Sequence, residues 1–224
     1  MGWSDTWNDI LQGGAQRWKV NNPDFHHMSY GHLSKYLNNN PEKANIFCPL
    51  AGDDPFVYLL WKQGHSVTSI DLVPAAVAAM RSQFETGEWT KEDDGKTIIW
   101  KHDSGRATLY EGDALQSRPE LHGKFDAVYD KDSFGALPKE LRTGFCSRIA
   151  DYTKPLAIVY IEVKLKENHE AVKHMGPPFS LQQEDLMMKE AYGTHFTHLE
   201  ALGEVYQLDF AGAKQTGHVL KKRQ

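Results

Sequence analysis

An α/β fold, with a mostly parallel central sheet, helices on both faces and an N-terminal helical cap, follows from three features of the chain. From Asn45 onward, short β-branched or apolar runs alternate with segments whose apolar residues recur at helical spacing. The connections between them are short, as in a parallel sheet wrapped by helices. The 224 residues, 40% hydrophobic and 25% charged, supply one large core rather than two average ones. The expected organisation is one domain over 1–224, divided into a cap or lid over 1–44 and an α/β core over 45–224.

In the cap, the turn-like Asn21-Asn22-Pro23-Asp24 separates Trp18 from Phe25, and a helical pattern resumes from His32 to Leu37. Asn45 to Pro49 reads as a short buried strand. Phe56 to Trp61 suits a helix that Gly64 ends. Ser66 to Asp71 is β-branched and strand-like, and Pro74 opens a helix that runs to Phe84. A polar, hairpin-like insertion spans Gly87 to Arg106. Ala107 to Glu111 and Phe125 to Tyr129 are further strands, Lys139 to Ala150 a helix, and Leu156 to Val163 the strongest strand. Leu181 to Glu190 reads as a helix. Thr197 to Leu202 and His218 to Lys222 look like an antiparallel pair.

Composition excludes several classes. Twenty-five basic against thirty acidic residues give a net charge of −5, the wrong sign for a general nucleic-acid binder. Cys48 and Cys146 are too few for a disulfide framework or a structural zinc site and read as core thiols, which fits a reducing, cytoplasmic setting. No apolar run is long enough to span a bilayer, and the N-terminus has no signal-peptide core. Met1-Gly2-Trp3-Ser4-Asp5-Thr6 matches the myristoylation pattern, but Trp3 and Asp5 are unfavourable there and no polybasic patch follows, so no membrane partner is expected. His26, His27 and His32 cluster without metal-ligand spacing, and no metal is expected. The protein is expected to be a monomer acting on a small molecule.

Open α/β sheets bind ligands outside the carboxyl ends of their strands. Asp71 ends the second strand, where a carboxylate can accept both ribose hydroxyls of a nucleoside. Asp113 follows the third in Glu111-Gly112-Asp113-Ala114, where it can meet an adenine amino group. Asp130 and Asp132 flank Lys131 after the fourth, and Glu162 ends the fifth. Each could instead cap the first turn of the next helix. Carboxylates at four strand ends together favour an adenosine pocket. The first loop, Pro49-Leu50-Ala51-Gly52-Asp53-Asp54, has one glycine and two carboxylates where a pyrophosphate would need bare backbone amides. That argues against NAD or FAD and for a cationic ligand without phosphate, of which S-adenosylmethionine is an example.

Further pieces sharpen this reading. Trp18-Lys19-Val20 precedes Phe25-His26. Ile46-Phe47-Cys48-Pro49-Leu50-Ala51-Gly52 is followed by Gly64-His65-Ser66-Val67, Ile70-Asp71, and Gly123-Lys124-Phe125-Asp126 leading to Tyr129-Asp130. The most distinctive is Lys173-His174-Met175-Gly176-Pro177-Pro178-Phe179. In order and spacing, from about Trp18 to the C-terminus, they resemble the thiopurine S-methyltransferase family of class I, Rossmann-like S-adenosylmethionine-dependent methyltransferases. The resemblance implies that Leu50 and Gly52 contact the methionine part of the cofactor, Asp71 with Leu72 the ribose, and Asp113 with Ala114 the adenine. It places Asp130 beside the cofactor too, makes Trp18 and Phe25 an aromatic lid, and sets Pro178 and Phe179 in the acceptor wall. The chain departs from the family at Asp53, where a lysine is expected, at Gly14, where a tryptophan is, and at Lys131, where the animal enzymes have an arginine. These departures put drug-like thiopurines in doubt as substrates.

Methyl transfer from a sulfonium needs approach and alignment more than a strong base. Asp130, Lys131, Asp132 and His26 are the polar groups best placed by sequence to orient or deprotonate an acceptor. The resemblance implies methylation of a small thiol. Halide, another chalcogen or nitrogen are alternatives on the same fold, and a non-catalytic cofactor-binding scaffold is the alternative of another class.

Overall fold

The computed structural model describes residues 3–14, 22–37, 44–95, 97–208 and 212–224. The sequence alternation resolves into a single nine-stranded sheet, in the spatial order β3-β4-β5-β2-β1-β6-β7-β9-β8. The five central strands are parallel: β5 (Ala107–Glu111), β2 (Ser66–Asp71), β1 (Asn45–Pro49), β6 (Phe125–Lys131) and β7 (Thr153–Lys166). The insertion is an antiparallel hairpin, β3 (Trp89–Asp93) and β4 (Ile98–His102), that pairs with β5. At the other edge, β8 (Phe196–Tyr206) returns as β9 (Ala213–Lys222), and β9 inserts antiparallel between β7 and β8. The chain winds from β1 through β2 to β5 on one side and then crosses to β6 on the other. The sheet therefore switches direction between β1 and β6.

Both faces of the parallel strands are buried, so successive residues feed different cores. Phe47 and Val128 join Phe145, Ile149, Leu186 and Tyr192 on one face. Ile46, Cys48 and Ala127 join Leu33, Phe56, Leu60, Val77 and Met80 on the other. The first core carries α6 (Lys139–Tyr152) and α8 (Gln183–Leu186). The second carries α2 (Pro23–Ser34), α3 (Pro55–Lys62) and α4 (Pro74–Arg81). Burial pushes the Cys48 thiol well up and the Cys146 thiol up, as inert core residues.

Two elements differ from the sequence reading. The helical pattern expected from His32 begins earlier, at Pro23: the Asn22 side chain accepts from the Asp24 amide, and Pro23 occupies the first helical position. The helix expected over 181–190 closes after one turn. Gln182 and Asp185 form a reciprocal capping box, but Gly193 lies against the Met187 carbonyl, so the chain folds back where a longer helix would run. No helix among the described residues is long and apolar enough to cross a membrane.

Candidate active site

A cavity of about 390 Å³ opens at the carboxyl ends of the parallel strands, beside the β1–β6 switch. That is within the usual range for a small-molecule site. Its first wall is the loop after β1. Leu50 and Gly52 both take positive φ, 45° and 56°, turning the backbone sharply beneath the cavity. Asp54 then caps α3, accepting from the Phe56 amide at 2.9 Å, and Pro55 takes the first helical position.

Asp71 ties that loop to the next. One carboxylate oxygen accepts from the Gly52 amide and the other from the Val73 amide, both at 2.9 Å. Burial pushes its carboxyl up, and the Val73 and Gly52 amides work against that shift. The Leu72 amide also acts on this carboxylate, which leaves at least one of its roughly four lone-pair positions for a ligand hydroxyl. Leu72 and Val73 continue the wall. After β5, Asp113 accepts from the Leu115 amide at 2.8 Å, and Asp113, Ala114 and Leu115 all line the cavity.

The opposite flank comes from β6 and α5 (Ser133–Ala136). Lys131 and Asp132 line the cavity, with Ser133 below them donating to the Pro49 carbonyl at 2.7 Å. Lys131 Nζ lies 3.8 Å from Asp54 Oδ2. Burial works against its charge, but Asp54, Asp132, Glu162 and Asp53 outweigh it and hold the ammonium above the ordinary lysine value. Asp132 sits in left-handed backbone (φ 58°), uncommon for a residue with a Cβ. Its carboxylate accepts from Lys164 Nζ at 2.9 Å and Gln215 Nε2 at 3.3 Å. Leu137, Pro138, Leu141 and Pro178 complete an apolar rim.

Four sequence-predicted residues lie elsewhere. Asp130 is fully buried and faces away from the cavity, because alternation along β6 sends Lys131 one way and Asp130 the other. It accepts from the Ser133 and Phe134 amides at 2.9 and 3.2 Å and from the Tyr192 hydroxyl at 2.7 Å. Burial pushes it up to about 6. Its carboxylate holds the first two amides of α5, and it is not among the described residues that line the cavity. Phe25 stacks on Tyr206, with ring centres 4.7 Å apart, and so packs α2 onto β8 rather than forming a lid. His26 is buried behind the cavity wall, with Nδ1 4.0 Å from Asp54 Oδ1. Phe179 lies beneath Gly176 and 5.2 Å from the Arg142 guanidinium, so Pro178 reaches the cavity and Phe179 does not. Trp18 lies outside the described residues.

Three contributors escape the sequence reading. Trp7, from α1 (Trp3–Leu11), covers the cavity. It packs with Ile10 against Val73 and Ala76, and its ring lies 3.7 Å from where a Cβ on Gly52 would stand. The three-residue spacing of Trp7 and Ile10 is a helical signal that was available in the sequence. Lys164 and Gln215 hold Asp132 from β7 and β9, and no sequence signal brings those strands together. Behind them, the buried Glu162 accepts from Tyr160 at 2.7 Å, from Tyr206 at 2.9 Å and from Ser29, so it belongs to a buried network and does not line the cavity.

The donor set fits S-adenosylmethionine. Carboxylates stand at two strand ends, where ribose and adenine lie in such sheets. Asp53 and Asp54 at the start of α3 suit a cationic ligand and oppose a pyrophosphate.

The family model for thiopurine S-methyltransferase matches residues 11–218. The thiopurine S-methyltransferase of Acinetobacter baylyi is 28% identical over 183 residues, covering 79% of this chain and 82% of the relative. That of Gluconobacter oxydans is 29% identical over 163 residues, covering 72% and 70%. Among solved structures, the N-methyltransferase NodS from Bradyrhizobium japonicum in complex with S-adenosylhomocysteine superposes with a TM-score of 0.67 at 10% identity, covering 99% of this chain and 100% of that one. A Burkholderia thailandensis 1,6-didemethyltoxoflavin-N1-methyltransferase with bound 1,6-didemethyltoxoflavin and S-adenosylhomocysteine gives 0.64 at 15% identity, covering 99% and 84%.

Proposed function

The chain belongs to the thiopurine S-methyltransferase family and is an S-adenosylmethionine-dependent methyltransferase, and from that premise we propose that it methylates the sulfur of a small-molecule thiol. The observation that carries this reading is the cavity at the sheet switch point, with carboxylates at the ends of β2 and β5 on one flank and Lys131 and Asp132 on the other. The names of the family and its relatives support sulfur as the acceptor atom. When bound, S-adenosylmethionine supplies an activated methyl group on a sulfonium. Leu50 and Gly52 would hold its methionine part, Asp71 and Leu72 the ribose, and Asp113 and Ala114 the adenine. Trp7 would cover the bound cofactor and exclude water.

On the acceptor side, Asp132 is fixed by Lys164 and Gln215 and can take a hydrogen bond from the acceptor. Lys131 holds Asp54 in place and sets the local charge. Pro178 and Leu141 bound the acceptor space. Among the described lining residues there is no histidine or cysteine, so the chain contributes alignment rather than a strong base or a covalent nucleophile. A turnover screen with labelled cofactor, run against thiols, halide, selenide and heterocyclic amines, tests the reading. S-methylated products are expected. Turnover confined to another class would move the acceptor atom, and tight cofactor binding without any turnover would leave a non-catalytic binding protein.

A further inference from the structure

We propose that His169 is a positioning residue for the cavity wall at Pro178, acting through Ser180; the proposal rests on the methyltransferase reading of that cavity. After β7 the chain leaves the sheet, makes the single turn α7 (His169–Val172), and returns through Pro178 to run beside β7 again. Residues 173–177, the outer part of this arm, are all exposed. Pro178, where the arm turns inward, lines the cavity. The returning leg must therefore be fixed from beneath. Its backbone is tied on both sides of Ser180: the Phe179 amide donates to the Gly135 carbonyl at 2.8 Å and the Leu181 amide to the Lys164 carbonyl at 2.9 Å. Ser180 itself is 1% exposed, and His169 meets it there.

Asn168 takes left-handed backbone (φ 55°), which asparagine tolerates better than most residues, and the side chain that follows it points inward. The His169 ring is 10% exposed, although Glu170 and Ala171 beside it are exposed. Its Nδ1 lies 2.8 Å from Ser180 Oγ. The Lys166 amide already donates to that oxygen at 3.0 Å, so the hydroxyl hydrogen is left for Nδ1 to accept. This assigns the imidazole hydrogen to Nε2. Nε2 makes no aligned hydrogen bond, but it faces Asp185 Oδ2 at 3.4 Å and Glu170 Oε1 at 3.7 Å. The Gln182 amide, donating at 2.9 Å, holds Asp185 in turn. A serine, a histidine and a carboxylate in line resemble a nucleophilic triad, but this hydroxyl is sealed from substrate. What the array can do is hold. A buried hydroxyl without its acceptor is costly, so the leg that carries Pro178 is stable where His169 can receive that hydrogen.

Three substitutions test this: His169→Ala, His169→Asn and His169→Gln. An asparagine carbonyl can stand near the place of Nδ1, whereas a glutamine amide reaches the place of Nε2. Each variant is assayed for methylation of benzenethiol, for calorimetric binding of S-adenosylhomocysteine and for amide deuterium exchange. His169→Ala and His169→Gln should raise KM for benzenethiol about fivefold or more, with kcat and S-adenosylhomocysteine affinity held within about twofold. His169→Asn should restore KM. Exchange at Phe179 and Leu181 should rise in step with KM, while the amides of β6 and the centre of β7 stay protected. In a Ser180→Ala background, His169→Ala should add little to either readout. Native KM or native exchange in His169→Ala overturns the proposal. So does an asparagine variant no better than the glutamine one, or a matching loss of S-adenosylhomocysteine affinity. If His169→Ala fails to fold, the comparison of asparagine with glutamine still decides. Absence of benzenethiol methylation by the native protein would count against the thiol reading alone, and exchange in the same variants would then decide whether His169 places the Pro178 leg.

Discussion

Asp130 and Asp132 differ by two positions and in their whole environment. Asp132 lies in the cavity wall with two side-chain donors, whereas Asp130 is buried in the core as a helix cap. The sequence placed both at the strand end, and the alternation of β6 puts Asp130 on the core face with Val128. It would put Asp132 there too, and what separates them is the end of the strand and the left-handed backbone at Asp132 (φ 58°). The buried aspartate has a measurable consequence. Its carboxyl is raised from the ordinary 3.8 to about 6, mainly by burial. The folded state therefore holds this proton more tightly than the unfolded chain. The contribution to stability is full below about pH 4 and is lost as the pH rises through about 6, amounting to about 3 kcal/mol. Asp130→Asn keeps an oxygen for the two backbone amides and donates from its nitrogen to the Tyr192 oxygen. Denaturant melts from pH 4 to 8 should show the native protein losing stability relative to this variant up to about pH 6, then a constant difference. A difference independent of pH would mean that Asp130 titrates normally in the fold.

Among the elements, the N-terminal segment shows where pattern reading works and where it stops. Strands and helices of the core were legible because their signals are local: β-branched runs, Pro at helix starts and Gly after helix ends. The cap was legible as helical but not in its division of labour. α2 reads as part of a lid, yet Leu33 is fully buried with Ile46 and Tyr160, Ser29 donates to Glu162, and Phe25 stacks on Tyr206. It is core. Among the described residues of the N-terminal segment, α1 covers the cavity, and Gly13, two residues past its end, has a positive φ (97°) that suits a turn out of the helix. Trp7→Ala should therefore weaken S-adenosylhomocysteine binding by roughly 1.5 kcal/mol or more through lost contact with the ligand, and should lower the melting temperature as well, because Trp7 is already buried against Val73 and Ala76. S-adenosylhomocysteine should also protect α1 from limited proteolysis. A large drop in melting temperature with unchanged affinity would make Trp7 a packing residue.

For the whole molecule, the alternation of elements predicted a parallel sheet, but nothing local predicted that β9 would insert between β7 and β8. That order depends on pairings such as Val163 with Thr216 and Ala201 with His218, which join residues far apart or across an irregular hairpin. The same long-range order brings Lys164 and Gln215 to Asp132, which is why that part of the site was hidden while Asp71 and Asp113, each at the end of its own strand, were not. The consequence is that the ligand site is shared among separate parts of the chain: the loops after β1, β2, β5 and β6, the helix α1 and Pro178. A cofactor bound there contacts folded chain only, so its binding free energy adds to stability. S-adenosylhomocysteine at a hundredfold excess over its Kd should contribute about 2.7 kcal/mol. For a chain of this length that corresponds to a rise in melting temperature of roughly 5–10 °C. Asp71→Ala should lose most of the rise, because it removes the ribose acceptor and also releases the Gly52 and Val73 amides that join two of the loops. NAD at the same concentration should produce no shift, since its pyrophosphate would face Asp53 and Asp54 at the start of α3. A shift with NAD, or an undiminished shift in the Asp71 variant, would place the nucleoside elsewhere on the sheet.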